Sequence, residues 1–522
     1  MTAPEEGGAT SGLRARLALA ATLLVVLLGL AWTARVTLTR SAVALAYPYQ
    51  LDPEEGFLLE QALRLTRGQT IYPSLEDYPF TVGNYPPVYP LLYAGLVAAL
   101  GPSLPVGRLL VLLATLAILA ALIAVTMRET SSGLAGLLAT GLFLATWPLA
   151  EWMAFARVDL PALAFGLTGF AVMTGRWSRV RLVLGVALFT VAFFTKQTQV
   201  LAPAAVLAGL LMQRQWRRAA LFAGALSGAC AGIGLALILS TDGEFFRHTV
   251  TYNANVMHWN QVGVWVRHLG LFAGFALLAL VPAAWVLLAS RGEEGRLVEP
   301  DAVGTEGPLA VYLGLAALSL VTTAKAGAAS NYLLEFHAVL ALALGLAAGR
   351  AARLVIRPSW KHRLPVAALL VLLLLHAADL SVGLGTPAKR LFFPPAPSPG
   401  AHNQRAYLEL RLLELEGPML CDEPIFLIRS GQPVLYQPFI MAQLAREAKW
   451  DAAPLVRDIE AGLFGAIVTK NDLERPDAHL PGFTEAMRAA IVKSYVLQDR
   501  IGDYRLYVPR AVARPGEPPR MA

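Results

Sequence analysis

Three carboxylates within four positions, in the run Asp52-Pro53-Glu54-Glu55, stand just beyond the first long apolar segment, with Gly56 next. A carboxylate held where a bilayer meets water can take the proton from an acceptor hydroxyl. The local alternative is that Asp52 caps a helix whose first turn holds Pro53, Glu54 and Glu55, where acidic groups complement the helix dipole. Further along, Arg157-Val158-Asp159 opens another apolar run; the two charges either pair with each other or join the carboxylates of the first loop. Thr195-Lys196-Gln197-Thr198-Gln199 lies between two apolar runs with almost no loop. A lysine flanked by amides and hydroxyls suits a phosphate, and a snorkelling lysine is the plainer reading. Lys325 precedes Ser330-Asn331-Tyr332-Leu333-Leu334-Glu335. Asn331 and Glu335 are four apart, hence on one helical face. Glu335 falls about one turn into an apolar run and needs a partner, for which Lys325, Lys196 or Arg157 would serve.

Two segments add polar and aromatic walls. Tyr85, Tyr89 and Tyr93 surround Pro86, Pro87 and Pro90, as interfacial anchors or as a surface for a sugar or lipid. His248, Tyr252, Asn253, Asn255, His258 and Trp259 form a polar-aromatic stretch whose histidines lack the spacing of metal ligands.

The elements that must position these residues are membrane helices. Of 522 residues, 56% are hydrophobic and only 15% charged, with a mean hydropathy of +0.54. A soluble globule would carry nearer a quarter charged residues. The apolar runs read as eleven spans, at 17–36, 104–127, 132–150, 158–174, 181–195, 198–212, 219–240, 266–289, 308–323, 332–349 and 364–383. Val88–Leu100 is shorter, contains Pro90 and reads as a half-helix at the interface. Met1–Gly12 is polar, and the first run reads as a retained anchor. Short gaps assigned to the cytoplasm, such as those holding Arg128, Arg176, Arg214 and Arg350, carry sixteen basic residues; the opposite gaps carry Arg157, Lys196, Arg247 and Lys325. That bias puts the N-terminus (1–16) inside and leaves two long outer loops, 37–103 and 241–265. The net charge of +7 is thereby explained by orientation, and no basic face for nucleic acid is apparent.

The expected fold is an α-helical polytopic membrane domain over 17–385 with an extracytoplasmic α/β domain over 386–522. Pro394–Pro399 is a stiff linker. Beyond it, helical stretches (403–415, 441–447, 454–461, 483–493) alternate with strand-like ones (418–421, 465–469, 495–498, 504–508). This domain either shapes an acceptor site or caps the membrane core. Cys230 and Cys421 stand far apart and suggest no disulfide.

An acidic motif after the first span, a Tyr85-Pro86-Pro87 segment, Arg157-Val158-Asp159, Thr195-Lys196-Gln197 and Asn331–Glu335 together resemble the GT-C glycosyltransferase superfamily. The nearest branch is bacterial proteins akin to protein O-mannosyltransferases and lipid A aminoarabinose transferases, and the resemblance covers about residues 15–350. It implies a multi-pass enzyme of the bacterial cytoplasmic membrane with its site facing the periplasm or exterior. Such an enzyme moves a sugar from a polyprenyl-phosphate donor to a hydroxyl on a protein, lipid or glycan acceptor, by a single inverting displacement. Carried onto this chain, the resemblance makes Asp52 or Glu55 the base, with Glu54 beside them. Arg157, Lys196 and Lys325 would hold the donor phosphate. Tyr85, Asp159, Gln197, His248, Asn253, Asn331 and Glu335 would line the substrate site. Relatives carry Asp-Glu where this chain has Asp-Pro-Glu-Glu, so the resemblance does not choose the base. A divalent cation is compatible with the scheme and not required by it. The competing reading is a transporter or flippase of lipid-linked sugars, against which the Leu, Ala, Val and Gly interiors of the spans count.

Overall fold

The computed structural model describes residues 6–294, 303–357, 359–383, 398–475, 481–511 and 520–521. All eleven apolar runs are helical. Among the described residues, seven helical stretches are long and apolar enough to cross a membrane, and shorter apolar helices stand beside them. α1 (Glu6–Ala46) runs to Ala46 instead of ending at Val36. Two of its later polar residues are satisfied inside the helix or by a neighbour. Ser41 Oγ donates to Thr37 O, and Thr37 Oγ1 donates to Leu144 O. Polarity therefore does not stop this helix, and Pro48 does. α2 (Glu54–Thr66) follows, then α3 (Val88–Leu100), over the range expected of the half-helix.

After α4 (Leu104–Thr130), the run at 132–150 divides into α5 (Gly133–Leu144) and α6 (Trp147–Trp152). Pro148, in the first turn of α6, cannot continue the preceding hydrogen-bond ladder. α7 (Asp159–Met173), α8 (Arg179–Thr195) and α9 (Leu201–Met212) are all shorter than the roughly 20 residues of a full crossing. Of the stretches they leave non-helical, 153–158 is buried within the protein, and 196–200 lies along the cavities, with Lys196 and Gln199 buried and Thr198 exposed. Irregular backbone survives at such depth only where protein or a wet cavity satisfies it. α10 (Trp216–Ser240) lies at the periphery, with only Ala219 and Phe222 buried. The run at 266–289 is two helices, Asn260–Leu278 and Leu280–Glu294, with Pro282 in the first turn of the second.

The helix Leu334–Leu354 is the axis of the bundle, buried along most of its length. Gly345 lets it approach α5: a Cβ there would stand 2.6 Å from Ala139 Cβ. Small residues at such contacts are how membrane helices gain packing without a hydrophobic driving force between them. Large apolar side chains on the outer helices, among them Leu116, Leu235, Val281 and Val371, point outward.

The C-terminal region folds as an α/β unit. Helices Pro399–Leu413, Pro424–Arg429, Pro438–Arg446, Ala453–Glu460 and Glu485–Ser494 pack on a five-stranded sheet. Its strands are β1 (Met419–Cys421), β2 (Ala466–Thr469), β3 (Tyr495–Ile501), β4 (Tyr504–Pro509) and β5 (Arg520–Met521), ordered β1-β2-β4-β3-β5. β1 and β2 are parallel, and β4 pairs antiparallel with both β2 and β3. Most of the proposed linker, up to residue 397, lies outside the described residues. The domain is docked on the segment between α2 and α3. Leu75, Phe80 and Val82 share a core with Tyr436, Ile440, Met441 and Trp450. Phe80 N donates to Leu435 O, Gln437 N to Phe80 O, and Trp450 Nε1 to Leu75 O. Cys230 and Cys421 are both free.

Candidate active site

Residues from five stretches meet in a cavity of about 810 Å³ between the helical bundle and the C-terminal domain. Its lining includes Asp52, Glu54, Tyr85, Arg157, Lys196, Gln197, Asn253, Lys325 and Asn331. The loop between α1 and α2 supplies the carboxylates. Asp52 Oδ1 accepts the backbone N–H of Glu54 at 3.0 Å and Arg157 Nη1 at 2.7 Å. Glu54 accepts from the Gln437 amide at 3.2 Å. Burial pushes the carboxyls of both Asp52 and Glu54 upward, against the pull of the Arg157 charge.

Glu55 has another task. It is fully buried, outside the cavity, and both oxygens are occupied. Oε1 accepts Arg108 Nε at 2.8 Å and Ala156 N at 2.7 Å; Oε2 accepts Arg108 Nη2 at 2.8 Å, Leu51 N at 2.7 Å and Asp52 N at 3.2 Å. The expectation of Glu55 as a base is corrected: a carboxylate meeting five donors has no lone pair to offer a substrate. Arg108, which the sequence reading missed, also donates to Ala44 O, Tyr47 O and Tyr49 O. This pair fixes the end of α1, the Asp52 loop and the chain just before Arg157 relative to one another.

The cations come from three loops. Arg157 also donates to Tyr85 OH at 3.1 Å and stands 4.0 Å from Asp159. The closer partner of Asp159 is Lys196, at 2.6 Å, and Asn331 Nδ2 donates to the same oxygen at 2.8 Å. Burial alone would lower the Lys196 ammonium; Asp159 outweighs it and holds the group above lysine's ordinary value. Lys325 differs from both. It donates to Asn253 Oδ1 at 2.7 Å and pairs with no carboxylate among the described residues. Burial, and then the Lys196 charge, lowers its pKa to about 8. An anion entering the cavity would find its uncompensated positive charge here.

The amides complete this wall. Gln197 and Asn253 both donate to Asn84 O, which ties the α8–α9 connection to the second outer loop. Asp159 and Glu335 do not line the main cavity. They line an adjoining one of about 230 Å³, which shares Lys196, Thr198, Asn331 and Tyr332 with it. The expected partners of Glu335 are corrected too. Tyr312 OH donates to it at 2.7 Å and Gln199 Nε2 at 3.2 Å, and among the described residues no cation pairs with it.

His248 is also corrected. It is fully buried and outside the cavity. Its Nδ1 accepts Gly83 N–H at 2.9 Å, so Nε2 carries the proton toward Pro73 O at 2.8 Å. Burial lowers its pKa to about 4, which fits a neutral ring pinning the first loop to the second. Tyr89 and Tyr93 are fully buried in the protein and are not interfacial anchors, whereas Tyr85 faces the cavity.

The remaining wall belongs to the C-terminal domain: Asp422, Glu423, Gln437, Phe439, Lys470 and Asn471. No motif marked these residues in the sequence. Their common feature is position, after β1 and β2 or at the start of a helix. Among the described residues, no group of three or more His, Cys, Asp or Glu is placed to hold a metal ion.

No protein-family model matches the chain, and no curated protein matches it by sequence. Solved structures do. ArnT from Cupriavidus metallidurans, bound to undecaprenyl phosphate, aligns with a TM-score of 0.56 at 14% identity, over 92% of this chain and 98% of that one. The same protein in the apo state gives 0.55 at 14%, with the same coverage. The chain shares the fold of ArnT. The oligosaccharyltransferase of Archaeoglobus fulgidus in its apo form aligns with a TM-score of 0.48 at 12% identity, over 95% of this chain and 75% of that one. The likeness to ArnT extends through the C-terminal domain, beyond the span of the sequence resemblance.

Proposed function

We propose that this protein is a GT-C glycosyltransferase that takes a sugar from a polyprenyl-phosphate carrier and passes it to an acceptor hydroxyl on the outer side of a bacterial cytoplasmic membrane. The observation that carries the reading is that one cavity gathers both kinds of group: the carboxylates Asp52 and Glu54 and the cations Arg157, Lys196 and Lys325 line it together, on a fold shared with a protein solved with undecaprenyl phosphate.

The chemistry follows from that arrangement. The acceptor oxygen attacks the anomeric carbon as the bond from that carbon to the carrier phosphate breaks. Asp52 takes the acceptor proton. Its Oδ1 holds Arg157 and the Glu54 N–H, which leaves Oδ2 for the acceptor. A pKa raised by burial makes it a better base than a solvated aspartate, and general-base assistance contributes about 10²–10⁴-fold. Negative charge grows on the departing phosphate, where Lys325 and Lys196 stabilise it without reorganising. One displacement inverts the anomeric centre. Among the described residues no three His, Cys, Asp or Glu side chains are grouped to hold a metal ion, and side chains of the protein carry each step of this scheme.

The test is transfer by the purified protein. Undecaprenyl phosphate carrying radiolabelled mannose or 4-amino-4-deoxy-arabinose is incubated with membrane extract and wild-type, Asp52→Asn or Lys325→Met protein. The wild type should label the extract, and Asp52→Asn should lose at least about a hundredfold in rate. No transfer from either donor, with translocation of the carrier instead, would replace this reading by the flippase.

A further inference from the structure

The C-terminal wall of the cavity has no part in the displacement just described, yet it is built as carefully as the opposite one. β1 and β2 are adjacent and parallel, so their carboxyl ends lie side by side. One delivers Asp422-Glu423 and the other Lys470-Asn471 to the cavity. The open carboxyl edge of parallel strands is where α/β sheets commonly place ligands.

Asp422 is half-satisfied. Its Oδ2 accepts Thr469 Oγ1 at 2.7 Å and Lys470 N at 2.9 Å, while Oδ1 is buried with no donor. A buried acceptor left unpaired is costly, and a ligand O–H would relieve it. Glu423 pairs with Lys470 Nζ of this wall at 2.5 Å and with Arg405 Nε, outside the cavity lining, at 3.8 Å. Phosphate is therefore better served by the membrane-domain side. Between these groups stands Phe439, 42% exposed and seated over Gly327. An aromatic face open to a polar cavity, beside a carboxylate and amides, is the pattern that holds the C–H face of a sugar while its hydroxyls meet the polar groups. Gln437 joins this wall to the catalytic one through its bond to Glu54.

We propose that the C-terminal domain supplies a saccharide subsite: Phe439 stacks on a neutral or cationic sugar ring, Asp422 accepts from its hydroxyls, and Asn471 and Gln437 flank it beside Glu54. This rests on the transferase reading above. The ring belongs either to the acceptor glycan or to the sugar on the carrier.

Calorimetry on the full-length protein in nanodiscs tests it, with Phe439→Ala, Asp422→Asn and the rescue variant Phe439→Trp. The probes are methyl glycosides of mannose, galactose and arabinose, glucose 1-phosphate, undecaprenyl phosphate, and undecaprenyl-phosphate mannose. At least one methyl glycoside or the mannosyl carrier should bind the wild type and weaken about tenfold or more in Phe439→Ala and Asp422→Asn, with recovery in Phe439→Trp. Loss on the free glycosides assigns the ring to the acceptor; loss on the mannosyl carrier alone assigns it to the donor. Undecaprenyl phosphate itself should bind all variants alike. If no sugar probe binds, or if binding is indifferent to both substitutions, the subsite is overturned. Failure of undecaprenyl phosphate to bind the wild type would instead strike the transferase reading and leave the glycoside result standing.

Discussion

Replacing Glu55 by Gln should break the scaffold without touching the chemistry, and the structure gives the size of the effect. The side chains of Glu55 and Arg108 are 0% and 1% exposed. Both carboxylate oxygens face only N–H groups, two on one side and three on the other. Either orientation of a glutamine would therefore point its NH2 at donors and leave a buried guanidinium without its counter-charge. Removing one partner of a buried pair typically costs about 3–5 kcal/mol. Asp52→Asn, three positions away, removes a charge that burial already disfavours, and Arg157 keeps Asp159 at 4.0 Å, so the loss should be smaller. Thermal unfolding of the two purified variants in detergent, followed by intrinsic fluorescence, separates them. Glu55→Gln should unfold several degrees below the wild type, and Asp52→Asn should unfold close to it. If Glu55→Gln melts like the wild type while Asp52→Asn is the unstable one, the assignment of scaffold and base is reversed.

Other outcomes follow from the same geometry. Because the Lys325 ammonium has a pKa of about 8, undecaprenyl phosphate should bind more weakly as pH rises through 8, and Lys325→Arg should extend tight binding to higher pH. His248 is held neutral with a pKa of about 4, below its unfolded value, so the unfolded state takes up its proton first. Its contribution to stability is present above about pH 6.5 and is lost as pH falls toward 4; His248→Gln should flatten that slope in pH-dependent melts. Gly345→Leu would drive a side chain into Ala139 and should lower the melting midpoint, whereas leucine at Gly228, which has open space, should not.

The fold was largely legible because its main signals are local. Long apolar runs announce helices whatever their surroundings, and short, largely apolar runs between helical stretches marked all four strands expected of the C-terminal domain. Helix ends were less legible. Thr37, Arg40 and Ser41 look like a loop by composition, but Ser41 bonds back to Thr37, Thr37 bonds to a neighbouring helix and Arg40 stands over the Phe155 ring, which no local pattern reveals. At the site, the sequence singled out the motifs that carry Asp52, Arg157, Lys196 and Lys325. It did not distinguish Glu54 from Glu55, because adjacent positions on a helix face about 100° apart and only packing decides which one meets Arg108. Nor did it place Asp422 or Phe439, which reach the cavity across some 370 residues of intervening chain. Arg108 reads as an ordinary charge near the start of a span until its five acceptors are seen.

The account claims that one cavity divides its work, with cations holding the carrier phosphate and Asp52 doing the proton transfer. The direct test measures undecaprenyl phosphate affinity and sugar-transfer rate together in Asp52→Asn and Lys325→Met. Asp52→Asn should bind the carrier like the wild type and transfer at least about a hundredfold more slowly. Lys325→Met should bind about tenfold or more weakly and, at saturating carrier, lose less of its rate. Transfer that survives in Asp52→Asn, together with unchanged affinity in Lys325→Met, would contradict the account at its centre.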